Sequence, residues 1–248
     1  MTPYTQSEVV DLLNLDKKKL VKYAKLWSQL CSQNQNNDGA HNIIERTSPI
    51  LNLNNEFDLH LPYSATNLKS CRKFSNKKIN ISDFTWLLSN SFLSNEGGHR
   101  IYGSAGALYP VEPLIICIKD NMVVGLPQGV YGIDYLNKAL KKVNTKVDFK
   151  KLSHSISPYT GQLISSIFIC YIFSMTRTVV KYNYRGLRHM LIEVGSMAQA
   201  FRLNGLARIN NFGDVSWSGF DDKALKDSLG LRIMKPVLLQ FFGIQDYK

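Results

Sequence analysis

The segment Lys181-Tyr182-Asn183-Tyr184-Arg185-Gly186-Leu187-Arg188 gathers three cations and two tyrosines into a short stretch. A lysine beside apolar Val179, Val180 and Tyr182, with Arg185 close by, has surroundings that favour its neutral form, the form able to take a proton. Adjacent side chains on a regular helix point about 100° apart, so Lys181 and Tyr182 share a site only if a helix begins there or is irregular. A helix start with snorkelling side chains accounts for the same residues without chemistry.

Three other segments carry possible chemistry. Lys69-Ser70-Cys71-Arg72-Lys73-Phe74 offers cations and a hydroxyl suited to an anionic cofactor, or is a solvated basic stretch. Gly103, Ser104, Ala105 and Gly106 are small residues in a row that let backbone N–H groups approach a planar ligand, though a plain turn has the same composition. Trp217-Ser218-Gly219-Phe220-Asp221-Asp222 reads as a strand end and a capped helix start, with Gly219 again allowing close backbone approach. Gly98 and Gly103 have the spacing of a phosphate-binding loop, but no lysine stands where that loop needs one, and no GxGxxG follows a strand. Cys31, Cys71, Cys117 and Cys170 are dispersed, and His41, His60, His99, His154 and His189 form no pair or triad, so no metal site is expected.

The elements that must position these residues follow from periodicity. The first thirty residues read as helical, with a possible capping box at Thr5 and Glu8, and the polar stretch 32–39 reads as a linker. Ser82 is the expected cap of a helix burying Phe84, Leu87, Leu88 and Phe92. Strands are expected at 114–118, at 163–173 and at 237–244, with a hairpin of 130–135 and 140–143 around Leu136 and Asn137. One long helix is expected to bury Val180, Tyr184, Leu187, Leu191, Val194, Ala198 and Phe201 and to stop at Asn204-Gly205. Asp221 caps a short helix ending at Gly230. Helices and strands intermix without a βαβ rhythm, so the class is α+β.

The 248 residues, 44% hydrophobic and 20% charged, are enough for a real core without disulfide staples, which excludes disorder. A net charge of +11 suits a polyanion, an acidic peptide or a phosphorylated cofactor, but no nucleic-acid-binding module is visible. The N-terminus lacks a signal-peptide pattern and the longest apolar run is too short to span a bilayer, so the expectation is a cytoplasmic protein without membrane association.

Taken in order, these segments resemble the nitroreductase superfamily of flavin enzymes, and specifically the FMN-dependent azoline dehydrogenases of thiazole/oxazole-modified microcin synthetases. Ser70-Cys71-Arg72-Lys73-Phe74 resembles the superfamily's S-x-R-x-F opening. Ser104-Ala105-Gly106-Ala107-Leu108-Tyr109-Pro110-Val111-Glu112 is similar to the dehydrogenases' S-[AG]-G-A-L-Y-P-x-E signature. Lys181-Tyr182, Tyr184-Arg185-Gly186, Arg188, Glu193 and Gly195 resemble the microcin branch's K-Y-x-Y-R-G-x-R…E-x-G segment. The chain departs from the family pattern at Leu68-Lys69, where many relatives carry paired arginines, and at Gly103, where proline is common.

The resemblance implies a nitroreductase-like fold, a central mixed or antiparallel sheet flanked by helices in a domain-intertwined homodimer. It implies an FMN-binding domain over 67–248 and an N-terminal extension over 1–66. Lys69 and Ser70 would hold the FMN phosphate, Arg72 would face the N1/C2-carbonyl end of the flavin and tune its charge. Ser104, Ala105 and Gly106 would line the flavin from the partner subunit, and Ser218 and Gly219 would lie near its N5 and O4 edge. Lys181 is then the candidate base and Tyr182 its positioning or relay partner, in oxidation of peptide thiazolines and oxazolines to thiazoles and oxazoles. The implied partners are a ribosomal precursor peptide and the cyclodehydratase subunits of a synthetase. The alternatives are a nicotinamide-dependent nitro or quinone reductase on the same fold, and a flavin-free scaffold that binds an acidic peptide.

Overall fold

A computed structural model describes Lys25 and residues 69–95, 97–143, 147–157 and 163–246. The expected N-terminal helix, the linker and the extension over 1–66 lie outside the described residues, Lys25 apart.

The apolar run Ile-Phe-Ile-Cys-Tyr-Ile-Phe forms β4 (Ile167–Phe173), buried at every position, as a strand covered on both faces must be. It lies between β1 (Val111–Cys117) and β6 (Lys235–Ile244) in a six-stranded sheet that also contains β2 (Gly129–Asp134), β3 (Ala139–Lys142) and β5 (Phe212–Trp217), in the order β3-β2-β1-β4-β6-β5. Every pairing of these strands is antiparallel, which settles the mixed-or-antiparallel expectation. The expected strand over 163–173 begins only at Ile167, because Ser165 and Ser166 turn the chain before it. The hairpin turn falls where expected: Asp134 Oδ1 accepts from the N–H groups of Leu136 and Asn137.

One register matters most for function. Val111, the first residue of β1, pairs with Phe173, the last of β4. The loop entering β1 and the helix leaving β4 therefore share one end of the sheet, where Ser174 N–H donates to Pro110 C=O at 2.9 Å.

Helices cover both faces. α1 (Ile81–Phe92) and α4 (Arg185–Arg208) pack on one side, where Phe92 stacks on Phe201, Phe201 meets Phe212 and Phe242, and Phe84 stacks on Phe242. α2 (Phe149–Ile156) and α5 (Asp222–Ser228) pack on the other, burying Leu152, Ile156 and Leu225 against Phe168 and Phe241. The cap of α1 is Asn80 rather than Ser82: its Oδ1 accepts from Ser82 N–H at 3.0 Å. Asp221 caps α5 as expected, accepting from Ala224 N–H.

The expected single long helix is two. α3 (Met175–Tyr182) ends at Asn183, whose φ of 49° and ψ of −135° break the helical ladder before α4 begins. The break changes the phase of the buried stripe, which runs through Met190, Glu193, Val194, Met197, Ala198 and Phe201, while Val180, Tyr184 and Leu191 are exposed. Gly205 is not a stop either; it lies inside α4, where an added Cβ would collide with the Phe212 ring. Gly205→Ala is expected to destabilise the fold by about 1–3 kcal/mol, the usual result of overpacking, read as a lowered denaturation midpoint.

Candidate active site

The loop that enters β1 turns on a short 3-10 stretch, Ala105–Ala107, with Gly106 at φ 63° and ψ 20°. That left-handed residue brings the loop against the end of α3: a Cβ on Gly106 would lie 2.6 Å from the Tyr182 hydroxyl and 2.8 Å from Lys181 Nζ. Adjacent residues on an uninterrupted helix would diverge. Here the helix ends at Tyr182 and Asn183 leaves the ladder, so both side chains reach the same glycine. Tyr182 also packs edge-on against His189 of α4, ring centroids 4.8 Å apart, and Lys181 Nζ lies 5.5 Å from the Tyr182 ring. Lys181 and Val180 are both exposed, so the apolar enclosure expected from the flanking residues is not supplied by this chain's own helix.

Behind the loop is a cluster of charge and aromatic rings. Arg100 stacks at 4.3 Å from the Tyr109 ring centroid and 4.1 Å from that of Tyr135, and its Nη1 donates to the Tyr102 hydroxyl at 2.7 Å. Glu193, from the middle of α4, is only 1% exposed. Burial lifts its carboxyl to about 7, although the Ser104 hydroxyl, the Val111 N–H and Arg100 face it and favour the ionised form. Its Oε1 has no hydrogen-bond partner among the described residues. A carboxyl whose pKa is raised on folding binds its proton more tightly in the native state. This group therefore costs stability as pH rises from its ordinary 4.5 through about 7, and costs nothing more above that window.

The basic segment occupies another part of the molecule. Cys71 N–H donates to Asp214 C=O, Phe74 bridges Gln245, and Ser75 N–H donates to Ile244 C=O, which lays the segment against β5 and the end of β6. Cys71 points inward against Gly213, while Lys69, Ser70 and Arg72 are exposed. Arg72 stands at a cleft of about 340 Å³ whose other walls are Ile156, Ser157, Leu163, Ile164, Trp217 and Phe241. Trp217 is fixed by donating from Nε1 to Ile156 C=O at 3.1 Å, and the exposed Ser218 and Gly219 follow it directly. A largely apolar slot of this size with a cation at its rim fits a planar aromatic ligand carrying an acceptor edge, and Lys69 and Ser70, exposed just before Arg72 in sequence, suit an anionic group.

The candidate residues thus fall into two groups. Gly106, in one loop with Ser104 and Ala105, meets Lys181 and Tyr182; Lys69, Ser70 and Arg72 lie on the β5 side with Ser218 and Gly219. β4 and β6 separate β1 from β5, three strand spacings or about 14 Å. Reading the sequence for chemistry missed Arg100, Arg177 and His189, and gave Glu193 no role. Two signals were available: Arg177 precedes Lys181 by one helical turn, and Glu193 is an acid on the apolar stripe of α4.

No family model matches the chain. It is 31% identical over 206 residues to the microcin B17-processing protein McbC of Escherichia coli, covering 79% of this chain and 72% of that one. It is 26% identical over 176 residues to a putative nitroreductase, MJ1384, of Methanocaldococcus jannaschii, covering 71% and 86%. Its fold superposes on a chain of the E. coli microcin synthetase McbBCD complex with truncated pro-MccB17 bound, with a TM-score of 0.73, 24% identity and 98% of both chains covered. A putative nitroreductase of Ralstonia eutropha shares the fold at a TM-score of 0.62 and 16% identity, over 78% and 88%. With a relative this similar over most of its length, and with the S-x-R-x-F, S-A-G-A-L-Y-P and K-Y segments placed as described, the chain belongs to the microcin-processing azoline dehydrogenases of the nitroreductase superfamily.

Proposed function

We propose that the chain oxidises thiazoline and oxazoline rings of a ribosomally made precursor peptide, with FMN as cofactor, Lys181 as base and Tyr182 as its positioning partner. The observation that carries the proposal is the convergence of Lys181 and Tyr182 on Gly106. In the reaction the ring carbon next to the carbonyl loses a proton and its ring neighbour loses a hydride, leaving an aromatic azole. Bound FMN supplies the hydride acceptor. Lys181 takes the proton, and the Tyr182 hydroxyl, held by His189 behind the ring, orients it or passes it on.

Lys69 and Ser70 would hold the FMN phosphate, Arg72 the N1/C2-carbonyl end of the ring system, and Ser218 and Gly219 its N5 and O4 edge. The apolar cleft beside Arg72 supports that assignment. Ser104, Ala105 and Gly106 would complete the site of a second protomer. In support, α4 leaves Leu191, Ile192, Leu203 and Leu206 exposed, and with Ile101 and Tyr102 it lines a groove of about 630 Å³, an apolar face of the kind a second copy covers. The bound pro-peptide and the companion subunits of the McbBCD complex support a peptide substrate and synthetase partners for this chain.

The test is conversion of a preformed azoline peptide to the azole, followed by loss of two hydrogen masses, with the released cofactor identified. FMN in the extract and turnover of the peptide uphold the reading. An FAD-only extract overturns the assignment of FMN; rapid bleaching by NADH or NADPH without peptide oxidation replaces the reading with a nicotinamide-dependent reductase.

A further inference from the structure

The loop entering β1 is held against its own backbone preference. Gly106, Ala107 and Tyr109 have φ of 63°, 53° and 44°, three left-handed residues of which two are not glycine. Such backbone persists only where its surroundings over-determine it. Here Ala107 N–H donates to Ser104 C=O at 3.0 Å, Tyr109 N–H donates to Ser104 Oγ at 2.9 Å, and Arg177 Nη1 donates to Tyr109 C=O at 2.9 Å. Tyr109 is thus gripped through both its N–H and its C=O. Each grip ends on an acid: Arg177 is anchored on Glu112 Oε1 at 2.6 Å, and Ser104 faces the buried Glu193. Having accepted from Tyr109, the Ser104 hydroxyl keeps its own hydrogen to donate, and Glu193 is the acceptor that faces it.

We propose that Glu193 is a positioning residue of the reaction, which from behind the loop fixes Ser104 and the first N–H of β1 and so sets Gly106 against Lys181 and Tyr182. The inference rests on the reading of Lys181 and Tyr182 as the reacting pair. The groups facing the carboxyl are Arg100 and Tyr102 ahead of the loop, Ser104 within it, and Glu112 and the Val111 N–H on β1. Ionised Glu193 holds the Ser104 and Val111 donors through charge-assisted hydrogen bonds; protonated, it accepts from them as a neutral group and holds them more weakly. Because burial places that change near neutral pH, the hold on the loop tightens as pH rises through about 7.

A merely structural acid and a positioning acid are separable through Glu193→Gln and Ser104→Ala in the flavin-loaded protein. A buried ionised carboxylate is costly, so Glu193→Gln is expected to leave the thermal midpoint at about pH 8 no lower than native. The same variant is expected to lower kcat for azoline oxidation by about 10- to 100-fold, the scale of a misplacement of about an ångström, with KM for the peptide unchanged. The rise of kcat through neutral pH is expected to flatten. The double variant is expected to be no slower than the slower single one, because both act through one chain of hydrogen bonds. Amide exchange at Tyr109 and Val111 is expected to quicken in both single variants. Native kcat and native exchange in Glu193→Gln would overturn the proposal, as would a rate loss matched by falls in thermal midpoint and flavin content. If the native protein oxidises no azoline peptide, the azoline reading falls. Exchange at Tyr109 and Val111 then decides alone: faster in Glu193→Gln upholds the hold on the loop, unchanged overturns it.

Discussion

Lys181→Ala, folded as the native chain and loaded with flavin, is expected to oxidise a preformed azoline peptide roughly 100-fold or more slowly, the usual scale for loss of a positioned proton acceptor. The structure gives this expectation its form. Lys181 is exposed at the end of α3, so truncating it removes little packing, and a fall in rate cannot be charged to a damaged core. Tyr182 is half-buried against His189, so Tyr182→Phe, which keeps the ring contact and removes the hydroxyl, is its matching probe. A shared site predicts that both variants lose rate with flavin content and thermal midpoint near native. If the two residues only decorate a helix end, Lys181→Ala turns over normally and only larger truncations of Tyr182 lower stability. Near-native turnover by a flavin-loaded Lys181→Ala would remove the proposed base while leaving the family assignment standing.

Why these two neighbours share a site shows where sequence reading succeeds and where it stops. β4 was legible because its short run of consecutive apolar residues is rich in isoleucine and aromatic side chains, which suits a strand covered on both faces. The condition that the helix be irregular at Lys181-Tyr182 was also legible, from helical geometry alone. Its cause was not: the break is a single asparagine at positive φ, with neither proline nor glycine at the position to mark it. Reading through that break placed Val180 and Tyr184 in the core, where neither is found, and gave Gly205 the role of a stop when its lack of a side chain admits Phe212. Glu193 was hidden for a related reason. An acid on a helix is presumed solvated, and only the sheet packed in front of it makes it a buried acceptor. The Arg72 cleft joins residues more than 160 positions apart, from Arg72 to Phe241, and nothing local in any of its segments announces the others.

Gly106→Ala is expected to cost the enzyme about 100-fold in turnover while costing the fold only about 1–2 kcal/mol. The small stability term has two parts. An alanine at φ 63° bears the ordinary left-handed penalty, and the atoms its Cβ would strike, the Tyr182 hydroxyl at 2.6 Å and Lys181 Nζ at 2.8 Å, are the ends of side chains that can swing away. The large activity term follows from the same contacts, because those two ends are the groups proposed to accept and orient the proton. A methyl group in the space between them moves both by about an ångström from where the glycine lets them stand, and misplacement on that scale is worth roughly 100-fold in rate. Gly98→Ala separates the two terms. Gly98 has φ 77° and no heavy atom of the described residues within 4 Å of an added Cβ, so it carries the backbone penalty without the contact. It is expected to lose similar stability and keep its turnover. Equal losses of rate in the two variants would mean that backbone strain in the region, rather than the approach of Gly106 to Lys181 and Tyr182, governs the reaction. Native turnover by Gly106→Ala would show that the two side chains work from positions the glycine does not constrain.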